Sequence, residues 1–216
     1  MPQQTTALDR PLSLADRAVG HFDDRTVYVH SFSGARCADM GEGPGITEED
    51  AAIAFAYGYE YVSRVVAEEP ERETYPFVVG YDPRPTSLAI AEAKVRGMLR
   101  AARDLGKQDA LRIIYLGIAT TPLWQSAIRS FNAAGGVMIT ASHNPLEYNG
   151  WKYATANSYA RERFVQGGSV LSAAQMKRLI KKTRDFLKRA QRRPGHLQQM
   201  MGDAECADEA ARIMAS

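Results

Sequence analysis

"LRIIYLGIATTPLWQSAIRSFNAAGGVMITA", residues 111–141, reads as strand, helix and strand in succession. Its first nine residues, 111–119, are rich in branched and aromatic side chains, which suit a pleated surface. "TTP" then opens a helix with Pro122 at the first position, where the missing N–H and fixed φ cost nothing. Leu123, Ala127, Ile128 and Phe131 recur at helical spacing and are expected to face inward. Gly135 and Gly136 are read as the end of that helix, and "VMITA", 137–141, as the next strand.

The same alternation extends upstream. "FVVGYD", 77–82, is a short β-rich run stopped by Pro83 and Pro85. A helix follows with Leu88, Ala91, Val95, Met98, Leu99, Ala102 and Leu105 in register and Gly106 as its C-terminal cap. Before it, Thr47 precedes "EED" as a capping box, and Ile53, Tyr57, Tyr61 and Val65 recur every four residues on one helical face that should end near Pro70. "RTVYVHSF" supplies a strand over 26–32, "GEGPG" at 41–45 is a turn, and residues 1–24 are a polar lead-in.

Downstream, "GWKYA" at 150–154 is a further strand. Residues 171–190 form an amphipathic helix capped by Ser172, with Met176, Leu179, Ile180, Thr183 and Leu187 inside. Residues 191–216 read as a short tail with a breaker at Pro194 and Gly195 and one weak helix. Strands alternating with helices imply right-handed crossovers and an α/β fold, a three-layer α/β/α sandwich on a mostly parallel mixed sheet over residues 25–190.

Composition narrows the function. The 216 residues are 45% hydrophobic and 24% charged, as in ordinary globular proteins. A net charge of +2 from 27 basic and 25 acidic side chains gives no whole-chain case for nucleic acid or membrane binding. Cys37 and Cys206 are far apart and lack zinc or disulfide spacing, so a reducing cytoplasm is expected. The N-terminus carries no signal-like apolar run, and no stretch approaches the roughly 18 residues a membrane span needs.

In open α/β sheets ligands bind beyond the carboxyl ends of the strands, and Ser142 follows "VMITA" directly. A serine there can be a nucleophile activated by a base, a carrier that accepts and returns a phosphoryl group, or part of a polar turn. The G-x-S-x-G elbow of acyl hydrolases is absent, since Thr140 and Asn144 flank the site, and His143 is too close in sequence to turn its ring onto the Ser142 hydroxyl.

"TASHNP", 140–145, followed by "EYNGWK", 147–152, resembles the phosphoserine loop of the α-D-phosphohexomutases, the phosphomannomutase and phosphoglucomutase group. "FSGAR", 32–36, is similar to that family's N-terminal Ser-Gly-x-Arg motif, and "VGYDPRPTS", 79–87, to its Gly-x-Asp-x-Arg segment. The likeness covers the family's first domain, from about residue 30 to 190. It implies an isomerase in which phosphorylated Ser142 donates to a mannose or glucose phosphate, and a bisphosphorylated sugar turns round and returns a phosphoryl group. It also implies catalytic roles for Lys152 and Arg36 beside Ser142, and loop-shaping, charge-neutralising roles for His143, Asn144 and Arg84. Phosphoserine and a sugar phosphate about 5 Å apart at an effective dielectric of about 20 repel by on the order of 10 kcal/mol, so cations are required.

The resemblance also implies Mg²⁺, held in part through the Ser142 phosphate. The family's Asp-Gly-Asp-x-Asp metal cluster lies in a later domain, and no D-x-D occurs in this chain. Ser31 and Cys37 depart from the first motif. The chain is therefore expected to be incomplete alone, with a second polypeptide supplying the later mutase domains or with the chain a truncated product; a non-catalytic binding or interaction module is the alternative.

Without the resemblance, Lys152 is a surface charge, and Asp82 and Arg84 are a local pair at a helix N-terminus. The basic run from Lys177 to Arg193 reads as a solvated face or a surface that meets an acidic domain, because only Phe186 is available for base stacking. Trp124 and Trp151 are core or interface aromatics, with Trp151 near enough to the loop to reach a ligand. His21, His30 and His196 have no metal spacing.

Overall fold

In a computed structural model, the described residues are 16, 21–23, 26–29, 46–146, 148–154, 158–160, 163–165, 167–193 and 195–216, with the strands inside 21–29 and 158–165 described by their backbone. Six strands form one sheet: β1 (His21–Asp23), β2 (Thr26–Val29), β3 (Tyr75–Tyr81), β4 (Leu111–Ile118), β5 (Gly135–Ile139) and β6 (Asn149–Ala154), in the order β1-β2-β6-β5-β3-β4. A separate hairpin pairs β7 (Ser158–Ala160) with β8 (Arg163–Val165). The helices are α1 (Glu48–Glu68), α2 (Ser87–Asp104), α3 (Thr121–Ser130), α4 (Ala173–Gln191), α5 (His196–Met201) and α6 (Ala204–Met214).

Connection length decides the direction of each pairing. β3 reaches β4 through α2, and β4 reaches β5 through α3, so β4-β3-β5 is parallel. The described residues of the 140–148 segment contain no crossover helix, and β6 returns antiparallel to β5 and then pairs antiparallel with β2. The sheet is therefore mixed, and its parallel part is the half whose carboxyl ends carry the loops of interest.

Alternation along the strands feeds two cores. Phe77 and Val79, Val137 and Ile139, and Trp151 and Tyr153 face α1, α2 and α4, whereas Val78, Met138 and Ala154 face Trp124, Ala127 and Ile128 of α3. Helices thus cover both faces, as the α/β/α reading expects. Ile53, Tyr57, Tyr61 and Val65 are buried, and so are the five predicted inner residues of α4. Thr47 and Ser172 cap α1 and α4, the latter through a reciprocal box with Gln175. Gly106, at φ 64°, closes α2: its N–H donates to Arg103 and that of Lys107 to Ala102, both carbonyls being α2's own.

Four expected core residues are on the surface: Leu88, Leu105, Leu123 and Phe131 are 52, 43, 54 and 54% exposed. Leu88 lies in the first turn of α2, and Leu105 and Phe131 are C-cap residues where the backbone leaves the helix. Leu123 sits one residue, about 100°, off the stripe of Trp124, Ala127 and Ile128. Thr120 is the cap of α3 and Pro122 its second residue rather than its first.

Gly135 and Gly136 do not end a helix. α3 stops at Ser130, and both glycines open β5. They are small because a Cβ on Gly135 would lie 2.1 Å from Tyr61 Oη, and one on Gly136 2.6 Å from Ile128 Cδ1. The space goes to a bond pair: Tyr61 Oη donates to the Ala154 carbonyl at 2.6 Å and accepts the Gly136 N–H at 3.0 Å, stitching β5 to β6.

Beyond residue 191 the chain forms two helices rather than one weak one. Leu197, Met200, Cys206 and Ala210 join the core on the α1–α2 side. Asp203 caps α6 and also takes Arg103 at 3.2 Å and Arg100 at 3.5 Å. Cys206 is buried with a free thiol. No helix among the described residues is long and apolar enough to cross a membrane. The predicted strand is seen over Thr26–Val29; its remainder, the 41–45 turn, His30 and Cys37 lie outside the described residues.

Candidate functional site

The 140–148 segment leaves β5, turns over the carboxyl edge and returns as β6. Its neck is closed by the Thr140 N–H donating to the Gly150 carbonyl at 3.0 Å. Ser142 then adopts φ 56°, a left-handed conformation that a side chain with a Cβ resists by about 1–2 kcal/mol. Its N–H donates to Thr140 Oγ1 at 2.9 Å, and its side chain is exposed. The Asn144 N–H donates to the Ala141 carbonyl at 3.0 Å, and that of Tyr148 to Pro145 at 3.1 Å.

Arg84 holds the loop together. Its guanidinium donates to four loop carbonyls: Pro145 at 2.6 Å, Asn144 at 2.7 Å, Tyr148 at 3.0 Å and Ser142 at 3.1 Å. The Asp82 carboxylate takes its Nε at 3.0 Å. With its side chain 8% exposed, Arg84 lies beneath the loop, not beside a ligand approaching from solvent. Asp82 also accepts the Ser87 hydroxyl at 3.0 Å. Ser87 and Thr86 in turn accept the buried Asn149 amide at 3.0 and 2.9 Å. The start of α2, the loop and the start of β6 are thus one bonded unit.

The predicted residues fall in three places. Ser142, His143, Asn144 and Arg84 converge on the loop. Lys152 lies half-buried on β6 opposite Met138, on the α3 face of the sheet. Arg36 lies outside the described residues. No hydrogen bond joins His143 to Ser142 among the described residues, so the loop carries no Ser/His couple. Trp151 does not reach out to the loop surface: it is fully buried on the opposite face from Lys152.

The described residues do not fit a closed Mg²⁺ site. Among them no three His, Cys, Asp or Glu groups gather around a common point. Asp82, the carboxylate in this network, is already engaged by Arg84 and Ser87.

Sequence reasoning missed Asn149, Thr86 and Ser87 as loop supports, and missed Lys94 altogether. Lys94 is fully buried, donates to Tyr153 Oη at 2.8 Å and lies 3.6 Å from the centre of the Trp151 ring, with Tyr57 and Tyr153 rings at 5.3 and 5.1 Å. Burial holds its amine well below the usual lysine range. It stands on the inner stripe, between Ala91 and Met98, so the helical period pointed to it and only its residue type argued otherwise.

A family model described as "Phosphoglucomutase/phosphomannomutase, alpha/beta/alpha domain I" matches residues 41–163. A phosphoglucomutase/phosphomannomutase of Thermococcus kodakarensis is 37% identical over 113 residues, 52% of this chain and 23% of that protein. A phosphoglucosamine mutase of Synechococcus is 37% identical over 106 residues, 49% of this chain and 20% of that protein. The chain thus matches about a fifth of the length of these relatives. A crystal structure of a phosphoglucomutase/phosphomannomutase family protein from Burkholderia thailandensis superposes with a TM-score of 0.51 over 81% of this chain and 31% of that one, at 19% identity, a likeness of fold.

Proposed function

The chain belongs to the phosphoglucomutase/phosphomannomutase family as its α/β/α domain I, and we propose that Ser142 carries the phosphoryl group which a phosphohexomutase moves between the 1- and 6-positions of a hexose phosphate. The observation that carries this reading is the exposed Ser142 held at positive φ by a buried arginine. Strain of that kind persists only where the surroundings impose it, and it collects at functional positions.

In the first half-reaction a sugar hydroxyl attacks phosphorus, the bond from Ser142 Oγ to phosphorus breaks, and the electron pair stays on Oγ. In the second, Oγ attacks the other phosphate of the bisphosphorylated sugar, and the opposite sugar oxygen leaves. Each attacking hydroxyl loses a proton and each leaving oxygen gains one. Lys152 is the proposed group for proton transfer or charge stabilisation, and Arg36, by resemblance, is proposed as a second catalytic cation. Arg84 positions the loop and places positive charge under the phosphorylated serine, where electrostatic preorganisation contributes most to phosphoryl transfer. Mg²⁺ would add positive charge at the transferring group, and its carboxylate ligands, like the sugar-recognition surface, are proposed to lie in the later mutase domains.

The substrate is proposed to be glucose or mannose phosphate. The experiment is phosphoryl labelling by radiolabelled glucose 1,6-bisphosphate in an extract of the source cells, which holds any complementing polypeptide. Label on the Ser142 peptide, absent from Ser142→Ala, is expected. Label that persists in Ser142→Ala, or none in an extract whose mutase activity depends on this chain, refutes the assignment.

A further inference from the structure

The charge of this chain is unevenly placed. Of its 27 basic and 25 acidic side chains, nine basic and one acidic lie in residues 173–193, which leaves 18 basic and 24 acidic elsewhere. The near-neutral whole is therefore a strongly basic helix on an acidic body.

α4 turns this excess to one side. Met176, Leu179, Ile180, Thr183 and Leu187 bury its inner stripe. Lys177, Lys181, Lys188 and Arg192 are exposed along one outer row. Arg178, Lys182, Arg189 and Arg193 are exposed along the neighbouring row, the last just beyond the helix. At 1.5 Å per residue the strip is about 22 Å long. Among the described residues, Glu60 approaches Arg189 at 3.7 Å and Asp16 takes Arg184 at 2.9 Å; the other seven cations of the two rows form no ion pair. At the end of the strip a cleft of about 400 Å³ opens between α4 and α5. Arg189, Arg192, Arg193 and His196 line it with Phe186 and Ala190, and no acidic side chain among the described residues does.

We propose that the outer face of α4, ending in this cleft, docks an acidic polypeptide segment. Each row spaces its cations by four, seven and four residues, with half-buried Asp185 in the gap, so acidic side chains one and two helical turns apart on a partner segment meet them. A nucleic acid suits the surface less well. Phe186, the one aromatic residue in 173–193, is buried against Tyr59 with ring centres 4.9 Å apart, so no base can stack on the strip. A duplex as long as the strip carries about 13 phosphates against eight exposed cations, and its continuation would run over an acidic body. Because α4 is packed flush against the core, it also cannot enter a groove.

The test uses the full chain and a fluorescein-labelled peptide of twenty glutamates, read by anisotropy. Binding is expected at roughly 50 mM salt and should weaken by about tenfold or more at roughly 300 mM, since exposed charges are screened. Arg192→Gln/Arg193→Gln should weaken it about tenfold, whereas Arg112→Gln/Arg212→Gln, which removes two exposed charges elsewhere, should change it less than about twofold. Circular dichroism melts verify that each variant is folded. No binding at low salt, equal losses in the two variants, tighter binding of a twenty-nucleotide poly-uridine at the same salt, or self-association that displaces the peptide would each overturn the proposal.

Discussion

Replacing Lys94 by methionine tests whether the buried amine is neutral. Among the described residues, Lys94 Nζ has one hydrogen-bond partner, Tyr153 Oη at 2.8 Å, and three aromatic rings around it, with no exposure. Burial holds its proton affinity well below the ordinary lysine range, so between the depressed native value and the ordinary lysine value the unfolded chain binds up to one proton more than the native protein. Stability then rises with pH, by about 1.4 kcal/mol per unit, from the depressed native value up to the ordinary lysine value. Methionine has nearly the same shape and no proton to lose. Methionine also leaves the buried Tyr153 hydroxyl without this partner, a pH-independent cost of about 1–3 kcal/mol, so the slope carries the test: the stability of Lys94→Met relative to wild type should fall by up to about 1.4 kcal/mol per unit towards pH 9. The raised hydroxyls of Tyr57, Tyr61 and Tyr153 are protonated in both states over this interval and are shared by both proteins, so they cancel. Urea unfolding followed by tryptophan fluorescence at pH 7, 8 and 9 gives the two lines. Parallel lines would refute the reasoning: they would mean that the Trp151 face at 3.6 Å keeps the ammonium charged despite its dehydration.

Three further substitutions probe the loop and its floor. Arg84→Met removes the four carbonyl bonds and strands Asp82; each bond to a charged donor is worth about 1.5–3 kcal/mol, so amide exchange over 142–148 should accelerate by about tenfold or more while the helices stay protected, and unchanged exchange would discard the clamp. Ser142→Gly relieves the positive φ and should leave the protein as stable or up to about 1 kcal/mol more stable while abolishing phosphoryl labelling; a marked fall in melting temperature would show that the serine is structural. Gly135→Ala sets a Cβ 2.1 Å from Tyr61 Oη and should cost about 1–3 kcal/mol in chemical denaturation, a loss that wild-type-like stability would contradict.

Regular periods and local caps were legible in the sequence because their physics is local. The stripe of α4, the caps at Thr47 and Ser172 and the glycine stop at Gly106 each depend on residues within a few positions. The helix ends were misread because a terminal residue keeps the period while its backbone departs, as Leu105 and Phe131 do. Gly135 was misread for another reason. A glycine that stops a helix and one that admits a distant hydroxyl look alike until Tyr61, 74 positions earlier, is placed against it. Long-range polar pairs are hidden in the same way: nothing near Asn149 marks Thr86 and Ser87 as its partners. Lys94 was hidden by its own chemistry, since a lysine on an inner stripe is ordinarily taken for a boundary residue.

The loop motif was legible, and the resemblance implied a loop-shaping role for Arg84; which groups it holds was not legible. Its actual partners are four carbonyls and one carboxylate. The energies support that division of labour. Left-handed backbone at Ser142 costs about 1–2 kcal/mol, and a single charged hydrogen bond of about 1.5–3 kcal/mol suffices to offset it. The remaining bonds hold Asn144, Pro145 and Tyr148 in place, so the serine projects from a fixed edge instead of one conformer among many. Such rigidity matters most for a carrier that gives up its phosphoryl group and takes it back, because the same oxygen must meet a sugar presented in two orientations. A side chain that bound the phosphate directly would have to reorganise each time the group left; one that binds the backbone beneath keeps its contacts throughout.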